Sequence, residues 1–231
     1  MRFTAVNVGC GLNVCELPGW ENIDNSPTAR LSKHPHIKWL LVRCRLLPKS
    51  AASVPWPPCV RVLDATKRLP YSDSSLLYVY TSHFLEHLPA GKAKGFLGEC
   101  YRVLTAGGIL RVVVPDLRAI CEEYLDGVAG DNSQALAADR FVERTGLRAA
   151  DSEAVGWLGV LRRAWGRDGH CWMYDERSLA ARLNEAGFTN VTRRRFRESL
   201  IPDIEALDIP ARAAESLYVE GQKQVSADPR F

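Results

Sequence analysis

Short runs of small and β-branched residues alternate with stretches of helical periodicity along the first half of this chain. Thr4–Val8 reads as a buried strand running into the turn Gly9-Cys10-Gly11, where glycine permits positive φ and close backbone approach. Trp20–Asp24 is a second short strand and Val60–Asp64 a third. Leu76–Tyr80 is nearly all apolar, as a central parallel strand covered on both faces requires. Residues 91–104 place Phe96, Cys100 and the Val103/Leu104 pair on one helical face, and Gly107-Gly108 closes that helix. Ile109–Val114 is the fifth strand and leads into Pro115-Asp116. This alternation predicts an α/β fold with a doubly wound, mostly parallel, Rossmann-like sheet.

Elsewhere the pattern is less regular. Residues 26–58 form a basic, partly apolar stretch in which 37–47 reads as a short amphipathic helix, ended by Pro48, Pro55, Pro57 and Pro58. Residues 117–170 read as mostly helical, broken at Gly127, Gly130 and Gly146, with Trp157 and Trp165 among basic residues. Asp175 is a good N-cap for a helix over Glu176–Ala186 that Gly187 stops. Phe188–Thr192 and Leu217–Glu220 are the last two strands, and residues 222–231 are expected to fray. Arg193, Arg194, Arg195 and Arg197 suit either an anionic acceptor or the charged defence of an edge strand.

At 231 residues, with 46% hydrophobic and 25% charged residues, one ordinary globular domain spanning 1–231 is expected. A net charge of +3 does not by itself argue for nucleic acid or an anionic membrane. No apolar run has the length of a membrane span, and a core strand beginning near Met1 leaves no room for a signal peptide, so a cytoplasmic location is expected. The seven cysteines form no C-x-x-C pair and read as reduced thiols.

Strand, glycine turn, strand and then a carboxylate is how a nucleotide-like ligand is held: the turn packs on its polar tail and the acid accepts from ribose hydroxyls. The dinucleotide fingerprint needs a third glycine and an acid roughly 20 residues on. Here the third glycine is absent and Asp24 comes early. A pyrophosphate cradle, and with it a nicotinamide-dependent dehydrogenase, is disfavoured.

Four motifs in order carry a resemblance: Val8-Gly9-Cys10-Gly11 with Asp24; Val62-Leu63-Asp64-Ala65; Ser82-His83-Phe84-Leu85-Glu86-His87-Leu88; and Tyr101-Arg102-Val103-Leu104-Thr105-Ala106-Gly107-Gly108. Together they resemble a class I S-adenosylmethionine-dependent methyltransferase from residue 4 to about 116. The resemblance implies an antiparallel edge to the sheet, insertions at about 26–58 and 117–170, and S-adenosylmethionine as cofactor. Gly9, Cys10, Gly11, Asp24, Asp64, Ala65 and Ser82 would bind it. The first insertion is either a lid carrying acceptor-binding groups or a surface excursion. Downstream, His170–Asp175, Glu185–Phe188 and Ser216–Gly221 resemble a bacterial group associated with glycan assembly, which implies O-methylation of a sugar hydroxyl. A small natural product is the competing acceptor. A nucleic-acid-binding or non-catalytic protein on this fold is the reading from another class, and a homo-oligomer stays open.

Methyl transfer from a sulfonium is an in-line displacement, so the protein must align the nucleophile and, for an alcohol, remove its proton. His87, His83, Asp116 and His170 are the candidate bases. His83, Glu86 and His87 are spaced to share one face of a helical turn. The spacing resembles the metal-dependent branch of the family, the small-RNA 2′-O-methyltransferases and polyprenyl-ring O-methyltransferases, where Glu-x-x-Glu-His holds a divalent ion. The site is expected to be metal-free. If an ion is held, its set is His83, Glu86, His87 and His170, and histidine in the first place favours zinc, iron or manganese over magnesium.

Overall fold

A computed structural model of the chain describes residues 3–44, 46–47, 52–129, 136–146 and 169–225. Seven strands form one sheet: β1 (Ala5–Val8), β2 (Trp20–Asp24), β3 (Val60–Val62), β4 (Leu76–Ser82), β5 (Leu104–Pro115), β6 (Phe188–Arg194) and β7 (Ser216–Lys223). Their order is β3-β2-β1-β4-β5-β7-β6. β1 to β5 are parallel and β7 runs antiparallel between β5 and β6. This is the mostly parallel α/β sheet with an antiparallel edge expected for class I methyltransferases. The sequence of strands reverses direction between β1 and β4, so their carboxyl ends flank a topological switch point, where open α/β sheets bind ligands.

Six helices accompany the sheet among the described residues: α1 (Pro27–Ser32), α2 (Pro35–Arg43), α3 (Ala90–Val103), α4 (Leu117–Ala129), α5 (Ala137–Thr145) and α6 (Glu176–Glu185). Proline occupies the first turn of α1 and α2, where a missing N–H costs nothing. Helix α2 thus starts two residues before the sequence pattern suggests and ends at Arg43. Asp175 and Ser178 form a reciprocal capping box on α6. One sheet face packs Val6, Val8, Val79, Leu110 and Val112 against Phe96, Leu97 and Cys100 of α3 and Leu179 and Leu183 of α6. The other face packs Tyr80, Val113 and Tyr218 against Ile201, Ile204 and Leu207 of an irregular segment.

Two features depart from the sequence reading. Gly107-Gly108 does not close α3, which ends at Val103; the pair lies inside β5. There the register slips between Leu76↔Leu104 and Tyr78↔Ile109, and Gly107 takes φ +77°. A bulge of this kind needs glycine. The second concerns a residue that the sequence reading did not single out, Arg111, fully buried in the middle of β5. It donates to Asp208 Oδ2 at 2.6 Å, Glu220 Oε1 at 2.9 Å and the Glu198 carbonyl at 2.9 Å, and its guanidinium lies over the Tyr218 ring. This ion network clamps the 195–208 segment onto the sheet. Asn13 Nδ2 donates to the Leu207 carbonyl at 2.9 Å and joins the loop after β1 to the same segment. The frayed end expected over 222–231 begins later, since Gln222 and Lys223 pair within β7; Trp157, Trp165, Gly130 and residues 226–231 lie outside the described residues.

Candidate active site

The turn after β1 is held from two sides. The N–H groups of Gly9 and Cys10 donate to the Ile23 carbonyl at 2.9 and 3.2 Å. Gly11 N–H donates to Asp24 Oδ2 at 3.0 Å, while Ser26 N–H donates to Asp24 Oδ1 at 2.7 Å. Asp24 is 8% exposed and each oxygen keeps a lone pair for another donor. Behind the turn, Asn7 Nδ2 donates to the Asn13 carbonyl and to Asn22 Oδ1, and Asn22 exchanges hydrogen bonds with the Cys15 backbone. Sequence reading passed over these two asparagines. Polar residues buried in neighbouring core strands must find partners, and that is the signal that marks them.

Gly9 and Gly11 both have positive φ, +67° and +55°, but their surroundings differ. A Cβ at Gly9 would lie 2.7–2.8 Å from Phe84, whereas one at Gly11 would meet nothing within 4 Å. Gly9 is therefore small for packing, and Gly11 faces open space beside Asp24. Cys10 is buried; burial, reinforced by the Asp24 carboxylate, pushes its thiol up to about 12 and keeps it a neutral spacer. At the end of β3, Asp64 Oδ1 accepts from the Thr66 N–H and hydroxyl at 3.1 and 2.8 Å, next to buried Ala65. Burial alone would raise the Asp64 carboxyl, but the Thr66 hydrogen bonds with Lys67 and Arg30 outweigh it and hold it below the usual range.

Val8 pairs with Thr81, so Gly9 and Ser82 leave the sheet side by side. His83 follows in the left-handed region at φ +51°, uncommon for a residue with a Cβ. The chain then makes a single 3-10 turn, Leu85–His87, in place of the α-helical turn that the spacing suggests. Even so, Glu86 gathers both rings: its Oε1 lies 3.3 Å from His83 Nδ1 and 4.0 Å from His87 Nε2. Glu86 is fully buried, and neither carboxylate oxygen has a hydrogen-bond partner. The Glu86 carbonyl accepts from Cys171 and Trp172 N–H at 2.8 and 3.0 Å, tying the loop before α6 to this turn. The tie places the His170 ring 5.1 Å from that of His87.

Backbone carbonyls fix the tautomers of this pair. His87 Nδ1 faces the Gly169 carbonyl at 3.3 Å and His170 Nδ1 faces the Thr145 carbonyl at 2.8 Å. A carbonyl only accepts, so both Nδ1 atoms carry a proton, and in the neutral tautomer this selects, Nε2 presents the lone pair. Ligand atoms of Glu86, His87 and His170 all lie within 4.8 Å of one another. His83 stands outside this trio, with Nε2 bonded to Ser216 Oγ at 2.9 Å. Asp116 is also apart: Oδ1 accepts from Arg118 and Ala119 N–H at the start of α4, and Oδ2 accepts from Arg193 at 3.2 Å. Its Oδ1 is taken up by the helix cap, while Oδ2 keeps a lone pair beside its ion pair with Arg193. The arginines of β6 are likewise engaged, Arg193 also with Glu176 and Arg194 with Glu220, on what is an edge strand.

Residues 43–112, from the end of α2 through most of β5, match a family profile described as a methyltransferase domain. That match spans 70 of the 231 residues. No functionally curated protein matches it. Among solved structures, it is similar to a "possible exported protein" from Bordetella parapertussis (16% identity, 97% of this chain and 63% of that one, TM-score 0.47). Others are an S-adenosylmethionine-dependent methyltransferase from Archaeoglobus fulgidus (14%, 96% and 86%, 0.49) and a possible histamine N-methyltransferase from Thermotoga maritima (17%, 97% and 84%, 0.49). The chain thus spans less than two thirds of the Bordetella protein. The cofactor of such a methyltransferase domain is S-adenosylmethionine, and the residues here fit it. A carboxylate with spare lone pairs suits ribose hydroxyls, and the open space at Gly11 suits close approach of the ligand.

Proposed function

We propose that this chain transfers the methyl group of S-adenosylmethionine to a hydroxyl, that of a sugar or glycan acceptor. The observation that carries the reading is the shared edge. The Gly9–Gly11 turn follows β1 and the turn bearing His87 follows the adjacent β4 at the switch point, with Asp24 at the end of β2 and His170 brought beside His87 by the loop before α6. When bound, S-adenosylmethionine supplies the electrophilic methyl of a sulfonium. Asp24 accepts from the ribose hydroxyls, and Gly9–Gly11 let the backbone close on the ligand. The Asp64–Ala65 corner and Ser82 border the same edge and complete the binding set. His87, partly exposed and with a free Nε2, takes the proton of the acceptor hydroxyl, which on its own is a poor nucleophile at neutral pH. The sugar assignment rests on the resemblance of the 170–175, 185–188 and 216–221 segments. A small natural product is the alternative acceptor.

The test is His87→Ala assayed by S-adenosylhomocysteine release with a panel of free and nucleotide-linked sugars. Turnover should fall about 10²- to 10⁴-fold with cofactor affinity unchanged. Equal turnover would remove His87 from the chemistry.

A second reading is favoured by one observation, the buried Glu86 carboxylate with no hydrogen-bond partner beside two available imidazole lone pairs. Glu86, His87 and His170 would hold a divalent ion, with the Gly169 and Thr145 carbonyls orienting the rings from behind. Two nitrogens and one carboxylate suit zinc, iron or manganese. In that case His87 binds metal and is not the free base. Elemental analysis of the purified protein and its melting temperature with added Zn²⁺ or Mn²⁺ decide between the readings. Bound metal that Glu86→Gln abolishes supports the ion, and no metal with no melting shift leaves His87 as base.

A further inference from the structure

Helix α2 is apolar yet buries none of its residues. Trp39 is 64% exposed, Leu40 53% and Ile37 52%. On a helix of about 3.6 residues per turn these three share one outward arc with His36 and Arg43, while Lys38, Leu41 and Val42 form the half-buried side. The charge around the helix is one-sided. Between Asp24 and Asp64 the chain holds seven lysines and arginines and no acidic residue, which leaves the remainder net negative although the whole carries only +3. Among the described residues, Lys33, Lys38 and Arg43 have no acidic partner.

From this combination we infer that α2 is an interfacial helix that seats the protein on an anionic lipid surface. Exposed tryptophan and aliphatic side chains gain by entering the boundary of the acyl chains, and the surrounding cations gain from the negative headgroups. Nucleic acid would satisfy the charges but offer Ile37 and Leu40 no apolar partner. A second copy of this chain would cover the apolar arc only by bringing two like-charged patches together. The association is peripheral, since no described helix is long and apolar enough to cross a membrane. It does not depend on the proposed methyl transfer and is tested without it.

The experiment is flotation of the full chain with vesicles of phosphatidylcholine alone or mixed with phosphatidylglycerol, at low and high salt. The wild type should float with the mixed vesicles only and be released by salt. Lys33→Glu with Arg43→Glu should weaken binding by at least about fivefold per side chain. Ile37→Asp with Leu40→Asp should weaken it by about tenfold or more. Both double variants should melt at the wild-type temperature, because the changed side chains are exposed. The inference is overturned if the folded wild type does not float, or if the Ile37/Leu40 variant floats equally well. It is also overturned if that variant only dissolves a dimer in sedimentation, or if the patch binds RNA whatever stands at 37 and 40.

Discussion

Methyl substitutions at the two turn glycines should have opposite signatures. Both residues have positive φ, which costs a residue with a Cβ about 1–2 kcal/mol. At Gly11 nothing else is added, because the new carbon meets nothing within 4 Å. At Gly9 it would sit 2.7–2.8 Å from Cβ, Cγ and Cδ2 of Phe84. Phe84 cannot simply swing away, since its ring packs edge-on against fully buried Phe96 at 5.2 Å. Overpacking of this kind costs roughly a further 1–3 kcal/mol. For a chain of this size each kcal/mol is worth about 2–4 °C. Gly11→Ala should therefore lower the melting temperature by about 2–8 °C, and Gly9→Ala by roughly 2–12 °C more than that. In calorimetry with S-adenosylhomocysteine, Gly11→Ala should be the variant that loses affinity out of proportion to stability. Equal melting temperatures, or a Gly11→Ala protein that binds like wild type, would refute the assignment of packing to one glycine and ligand approach to the other.

Arg111→Met should cost about 3–5 kcal/mol by urea unfolding, because it leaves the buried Asp208 carboxylate without its cation and Glu220 with Arg194 alone. Arg118→Met, in the exposed pair with Glu122, should leave the urea midpoint essentially unmoved, and equal costs would count against the buried clamp. Hydrogen bonds from Arg102 hold the Glu99 carboxyl below its usual range against the opposing effect of burial. Its stabilisation is thus complete above the unfolded glutamate value, near ~4.3, and is lost as pH falls through the lower folded value. Glu99→Gln should flatten the acid limb of a melting-temperature profile below about pH 4, and an unchanged limb would exclude this pair as its source.

β1, β4 and β5 were legible because each holds a short, mostly apolar run with a turn at its end, and such runs report burial directly. The Asp175 cap was legible for the same local reason. Gly107-Gly108 misled, since a glycine pair marks a helix stop and a strand bulge alike, and only the partner strand decides. Arg111 is a cation within an apolar strand that the sequence reading passed over; its partners lie 97 and 109 residues away and no periodicity points to them. The same limit applies to the site. Glu86 and His87 announce themselves by spacing, whereas the approach of His170 depends on two backbone hydrogen bonds to the Glu86 carbonyl. The cap contacts of Asp116 to Arg118 and Ala119 are local, whereas its ion pair with Arg193 spans 77 residues and no local pattern points to it.

The central claim is that the turn after β1 and Asp24 together hold S-adenosylmethionine. Titration calorimetry with S-adenosylhomocysteine, wild type against Asp24→Asn, tests it most directly. The wild type should bind one equivalent, and the variant should bind about 10- to 100-fold more weakly through loss of charge-assisted hydrogen bonds to ribose. No heat with the wild type, or equal affinity in the two proteins, would contradict the account.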